Sequence, residues 1–174
     1  MFSNNIKIGT SLVEKDHIEI SKQIQKKAKL SKCKIILPID AVCSTDLEDK
    51  DNIRTCKVEN IYSEHMILDI GERTSKLISD EILNSRSVLW NGPLGAFENK
   101  PFETSSVYVA NTIKKYSKNL HIKTMAGGGD TIAVINLAKA KDGFDYLSNA
   151  GGAFLEWLEG NKSPGVLALE NNKI

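Results

Sequence analysis

The sequence predicts an α/β fold, a parallel sheet with helices on both faces, from three observations. Short apolar runs alternate with longer amphipathic ones along the chain, as where Ser87-Val88-Leu89-Trp90 is followed by a helical pattern over 104–118. The run at 34–39, Lys-Ile-Ile-Leu-Pro-Ile, is apolar without alternation, the pattern of a strand covered on both sides. Glycine-bearing turns at 91–95, 127–129 and 151–152 follow such runs, and open parallel sheets gather ligands outside the carboxyl ends of their strands.

The elements justify themselves in order. Residues 15–30 read as a helix, with Ile20, Ile24 and Ala28 on one face and lysines on the other. The strand at 34–39 follows, and then a polar excursion over 40–64 that holds a small hairpin around 55–58. Residues 66–70 are a short strand ending at Gly71, 74–85 a helix and 87–90 a strand. Thr104 is placed to cap a helix carrying Val109, Ile113 and Tyr116 inward. A strand at 121–125 leads through the three glycines into a helix reaching about 139. A last strand at 145–148 precedes a helix at 153–159, stopped by Gly160, and an apolar tail at 163–169.

At 174 residues and 41% hydrophobic content, the chain is long enough for one globular domain with a core. A formal charge of +1 without a long single-sign run argues against nucleic acid and against an electrostatic membrane anchor. No apolar stretch approaches a membrane span, and residues 1–5 lead into no signal-peptide core. Cys33, Cys43 and Cys56 are odd in number and lack zinc-site spacing, so reduced thiols and a cytoplasmic location are expected. His17 and His65 are expected at the surface, and His121 in a strand.

The stretch from Gly127 to Thr131, Gly-Gly-Gly-Asp-Thr, carries the chemistry. Three glycines between a strand and a helix admit positive φ and bring a ligand close to the backbone. The helix start then offers free N–H groups and partial positive charge to a phosphate. Asp130 and Thr131 set a carboxylate and a hydroxyl beside that place, which suits a phosphate carried with Mg²⁺. The plain alternative is a tight turn with Asp130 as N-cap, and the two roles are compatible. Neither a Walker A loop nor a dinucleotide fingerprint is present.

Val88-Leu89-Trp90-Asn91-Gly92-Pro93-Leu94-Gly95-Ala96-Phe97-Glu98 closely resembles a signature of the phosphoglycerate kinase family, in its carboxyl-terminal, nucleotide-binding domain. Three further stretches match in the family's order: 9–14, 127–131, and Gly151-Gly152-Ala153 leading to Pro164-Gly165-Val166. The resemblance implies a three-layer, Rossmann-like sheet incomplete at its N-terminal end, with 1–174 as a partial nucleotide-binding domain. It implies phosphoryl transfer between 1,3-bisphosphoglycerate and MgADP, giving MgATP. Glu98 is then expected on the ribose hydroxyls, with Asn91, Gly92 and Pro93 flanking the nucleotide. Gly127, Gly128, Gly129 and Thr131 are expected around its phosphates, Asp130 on Mg²⁺, and Gly151 and Gly152 facing the phosphoryl group in transit. Glu98 as a solvated carboxylate and Asn91-Gly92-Pro93 as a bare turn are the alternatives.

The chain also departs from the family pattern. The phosphoglycerate-binding domain and a segment with a phosphate-contacting lysine are absent, so a separate chain supplying the N-terminal half is the expected partner beside ADP or ATP. A non-catalytic, degenerate nucleotide-binding or interaction protein is the alternative. Ala150 stands where the family has glycine, Phe154 where it has a small residue, and Glu72 where it has proline. Ala150 is costly if its φ is positive.

Overall fold

The computed structural model describes residues 1, 4, 6–161 and 164–171, without the side chains of Phe154, Trp157 and Val166. The side chain of Phe154, which stands where the family has a small residue, therefore lies outside the described residues. The chain divides into two compact units, Met1–Glu81 with Leu94–Val109, and Ile82–Pro93 with Ala110–Ile174.

The first unit holds α1 (Ile18–Leu30), β1 (Asp40–Ser44), β2 (Arg54–Lys57) and β3 (Met66–Ile70). It also holds the greater part of α2 (Glu72–Leu83) and the start of α3 (Thr104–Tyr116). Its sheet is antiparallel, in the order β2-β1-β3, so the excursion at 40–64 is a hairpin within a sheet. Ala41 and Cys43 on β1 meet Val58 and Ile61 in a small buried cluster. Between Val42 and Cys43 the register against β3 skips Leu68, a bulge of one residue.

Of the helices here, α2 and α3 are capped from the strands of this unit. Buried Asp40, on β1, accepts hydrogen bonds from the N–H groups of Arg73 (3.0 Å) and Thr74 (2.8 Å) in the first turn of α2. Asp69, on β3, does the same for Ser105 N–H at 3.0 Å in α3. A side chain at Gly71 has no room, since a Cβ there would lie 2.2 Å from the Asp40 carboxyl carbon.

Residues 34–39 form no strand. A strand exists only where a neighbour takes its hydrogen bonds, and Ile35, Leu37 and Ile39 remain 41%, 36% and 38% exposed. The apolar face of α1 is uncovered too, with Ile20 and Ile24 about half exposed. His65 corrects the expectation of a surface residue: it is buried and packs against the Tyr62 ring at 5.3 Å.

The second unit carries β4 (Ser87–Asn91), β5 (Lys123–Gly127) and β6 (Tyr146–Ser148) in a parallel sheet of order β4-β5-β6. With it go α4 (Gly129–Leu137), α5 (Gly151–Leu158), α6 (Pro164–Asn171) and the later turns of α3. The α/β class read from the sequence holds. The core of this unit is Ile113, Ile122, Ala126, Val134, Ile135 and Trp90, all buried. Gly143 lets α3 approach, since a Cβ there would stand 2.5 Å from the Lys114 Cα. His121 lies in a turn before β5 with φ 53°, not in the strand.

Candidate nucleotide-phosphate site

The parallel register decides where the three loops emerge. Asn91 of β4 pairs with Gly127 of β5, and Gly127 with Ser148 of β6, so the strands end level with one another. The Asn91-Gly92-Pro93 turn, the glycine run and the turn into α5 therefore leave the same edge. A cavity of about 400 Å³ opens there, lined by Asn91, Gly92, the 128–131 turn, Gly151, Gly152 and Leu155.

Backbone approaches backbone in this cavity. Gly128 turns the chain with φ 96° and is the N-cap residue of α4. Of the three consecutive glycines it alone uses positive φ. Its N–H donates to the Ser148 carbonyl at 3.0 Å, tying the second loop to the end of β6. A Cβ on Gly151 would lie 2.8 Å from the Gly128 Cα and 3.2 Å from Asn91 Oδ1. The Asn91 amide is thus wedged against both glycine turns. Positions 129 and 152 are open, with no neighbour within 4 Å of a Cβ.

Two hydrogen bonds hold the Gly92 turn, where φ is 89°. Its N–H donates to Thr131 Oγ1 at 2.7 Å, and its carbonyl accepts from Trp90 Nε1 at 2.6 Å. Thr131 is wholly buried, so its hydroxyl is a strut between two loops. Asp130 is exposed in the first turn of α4. It is not the N-cap, contrary to the plain sequence reading, because the chain enters the helix two residues earlier at Gly128.

The remaining expected residues fall elsewhere. Gly127 is the buried last residue of β5, and Pro93 is half-buried; neither lines the cavity. Glu98 belongs to the first unit, exposed in a turn shaped by bonds from Phe97 N–H to Gly95 O and from Asn99 N–H to Ala96 O. Glu72, also of the first unit, pairs with Lys76 at 2.6 Å. Ala150 is not among the described non-glycine residues with positive φ, so its methyl group carries no such penalty. Leu155 was not anticipated; its place four residues after Gly151 puts it one helical turn on, and that spacing was the available signal.

Among the described residues the cavity offers backbone N–H groups at the start of α4, an amide, one carboxylate and no cationic side chain. Among the described residues no three His, Cys, Asp or Glu gather into a metal cluster. A cation beside Asp130 would thus draw its other ligands from water and from an anion in the cavity. Glycine turns that a Cβ would obstruct, next to a helix start and an exposed carboxylate, fit a phosphate group carried with a divalent cation.

The phosphoglycerate kinase family model matches residues 1–161. The chain belongs to the phosphoglycerate kinase family. It is 45% identical over 162 residues to phosphoglycerate kinase from Methylorubrum extorquens strain PA1, covering 93% of this chain and 40% of that protein. With phosphoglycerate kinase from Brucella abortus biovar 1 it shares 42% over 168 residues, 97% of this chain and 42% of the relative. Among solved structures, phosphoglycerate kinase from Coxiella burnetii superposes with a TM-score of 0.86 at 29% identity, over 92% of this chain and 41% of that one. The enzyme from Pyrococcus horikoshii OT3 reaches 0.69 at 22% identity, over 97% and 42%, a likeness of fold alone. The chain spans about two-fifths of the length of the phosphoglycerate kinases it matches. No helix among the described residues is long and apolar enough to cross a membrane.

Proposed function

We propose that this chain is the ADP- and ATP-binding half of a phosphoglycerate kinase, whose whole reaction exchanges a phosphoryl group between 1,3-bisphosphoglycerate and MgADP. The observation that carries this reading is the meeting of three loops at one strand edge, with Gly151 against Gly128 around a cavity of about 400 Å³. The N–H groups of Gly129 and Thr131 hold nucleotide phosphates beside the Gly128 turn, Asp130 ligates Mg²⁺, and Gly151 and Gly152 face the phosphoryl group. Asn91, Gly92 and Pro93 flank the nucleotide. Glu98 takes the ribose hydroxyls on the strength of the family resemblance. Chemistry of this kind asks for positioning and charge stabilisation and little covalent work from the protein.

A separate polypeptide supplying the other half would complete the enzyme, and this chain alone makes no ATP from 1,3-bisphosphoglycerate. The lack of any cationic side chain among the described residues lining the cavity favours a second reading, a nucleotide-binding module without turnover. Calorimetric titration of the purified chain with ADP, with and without Mg²⁺, tests the site. Weak, Mg²⁺-dependent binding supports it, and no heat at millimolar ADP overturns it. ATP formation by the purified chain alone would overturn the dependence on a second polypeptide.

A further inference from the structure

The segment at 34–39 has the burial pattern of a strand without the ladder. Ile35, Leu37 and Ile39 are exposed, while Ile36 and Pro38 between them are half-buried. Alternation of that kind, one face out and one face in, belongs to extended backbone. The segment is also held at both ends. Lys34 Nζ donates to the Glu81 carboxylate of α2 at one end. At the other, Ile39 N–H donates to Thr74 Oγ1 at 3.0 Å and its carbonyl accepts from Val58 N–H at 3.3 Å. Between these anchors the N–H groups of Ile35, Ile36 and Leu37 have no acceptor among the described residues.

Helix α1, immediately before the segment, adds a second uncovered surface. None of its residues is buried, and Ile20, Ile24 and Leu30 are exposed. A helix of 13 residues with no buried side chain draws little stability from the body of the protein.

We propose that residues 34–39, with the bare face of α1, dock the remaining portion of a phosphoglycerate kinase, which adds a strand alongside 35–37 and an apolar cover over Ile35, Leu37 and Ile39.

This rests on the reading of the chain as one half of that enzyme, and it says where the other half attaches. Two observations choose the occupant. The run is apolar on both faces, the composition of a strand inside a parallel sheet and sheltered on both sides. The partner therefore brings a strand edge and a covering element together. About three-fifths of the relatives' length has no counterpart in this chain, enough polypeptide for both. A second copy of the chain is the rival occupant. Edge-to-edge pairing of two such segments makes the missing hydrogen bonds but leaves Ile35, Leu37 and Ile39 bare. The anchored ends lower the cost of ordering the segment when a partner strand arrives.

The probe is the part of the Methylorubrum extorquens phosphoglycerate kinase that this chain does not match, shown to be folded by circular dichroism. It is titrated into the full chain and followed by calorimetry and hydrogen exchange. In the free chain the Ile35, Ile36 and Leu37 amides are expected to exchange without protection, and in the complex to slow about a hundredfold or more. Slow exchange at these amides in the free chain, as a monomer or as a dimer, would overturn the proposal. So would an absence of binding, or binding that leaves the three amides unprotected. Leu37→Asp and Ile24→Asp keep the fold, since both side chains are exposed, and each is expected to weaken probe binding about tenfold or more. Unchanged affinity in either variant would overturn the proposal. ADP titration without the probe reports the nucleotide site alone, so docking can fail while that site stands.

Discussion

Gly151 lies so close to Gly128 that a Cβ on it would stand 2.8 Å from the Gly128 Cα and 3.1 Å from its nitrogen. Both neighbours are backbone, which cannot swing aside as a flexible side chain does. Gly151→Ala therefore separates the two loops, at about 1–3 kcal/mol of stability. ADP affinity measured by calorimetry is expected to fall about tenfold or more, equivalent to some 1.4 kcal/mol. Gly152→Ala, at an open position, tolerates its methyl group and leaves stability unchanged. Equal stability losses in the two variants would contradict the packing of Gly151.

Thr131 supports the neighbouring turn through the hydroxyl that accepts from Gly92 N–H. Valine has nearly the same shape and no acceptor. Thr131→Val strands a part-buried donor at about 1 kcal/mol, read as a lower urea midpoint, while Thr131→Ser retains most of the stability.

Asp130 is exposed and caps nothing, so Asp130→Asn leaves the fold and its urea midpoint unchanged. Its expected effect is confined to the ligand: Mg²⁺ strengthens ADP binding by the parent chain and no longer does so for the variant. A variant that keeps the full Mg²⁺ effect would remove Asp130 from the cation.

Asp40 reaches Arg73 and Thr74 across 33 and 34 residues of chain. Asp40→Ala leaves the start of α2 without its acceptors in a buried place, at about 1.5–3 kcal/mol. Hydrogen exchange is expected to quicken at the Arg73 and Thr74 amides first.

Asp49, in the β1–β2 connection, accepts from Thr45 Oγ1 at 2.6 Å and Asn52 Nδ2 at 2.7 Å. Those bonds, Thr45 foremost, hold its carboxyl down at about 2 from the usual 3.8. A carboxyl depressed by folding stabilises the native state above the unfolded value, and the contribution drains away as pH falls from 3.8 towards 2. NMR titration of the Asp49 side chain checks this, and Asn52→Ala should move its midpoint upward.

The residues by themselves determined the α/β class, the helix that follows the glycine run and the turn glycines. These depend on near neighbours: side-chain period, and the few backbone angles that glycine admits without strain. They also marked eight of the nine described residues lining the cavity, missing Leu155. The segment at 34–39 shows where such reasoning stops. Its apolar run has the composition of a buried strand, but composition supplies no neighbour to accept its hydrogen bonds, and no ladder forms.

Tertiary structure alone decided that Asn91, Gly127 and Ser148 end level and that Asp40 and Asp69 cap helices far along the chain. Each is a relation between segments remote in sequence, set by strand register. A shift of one residue turns every side chain to the opposite face, and no local preference carries that information.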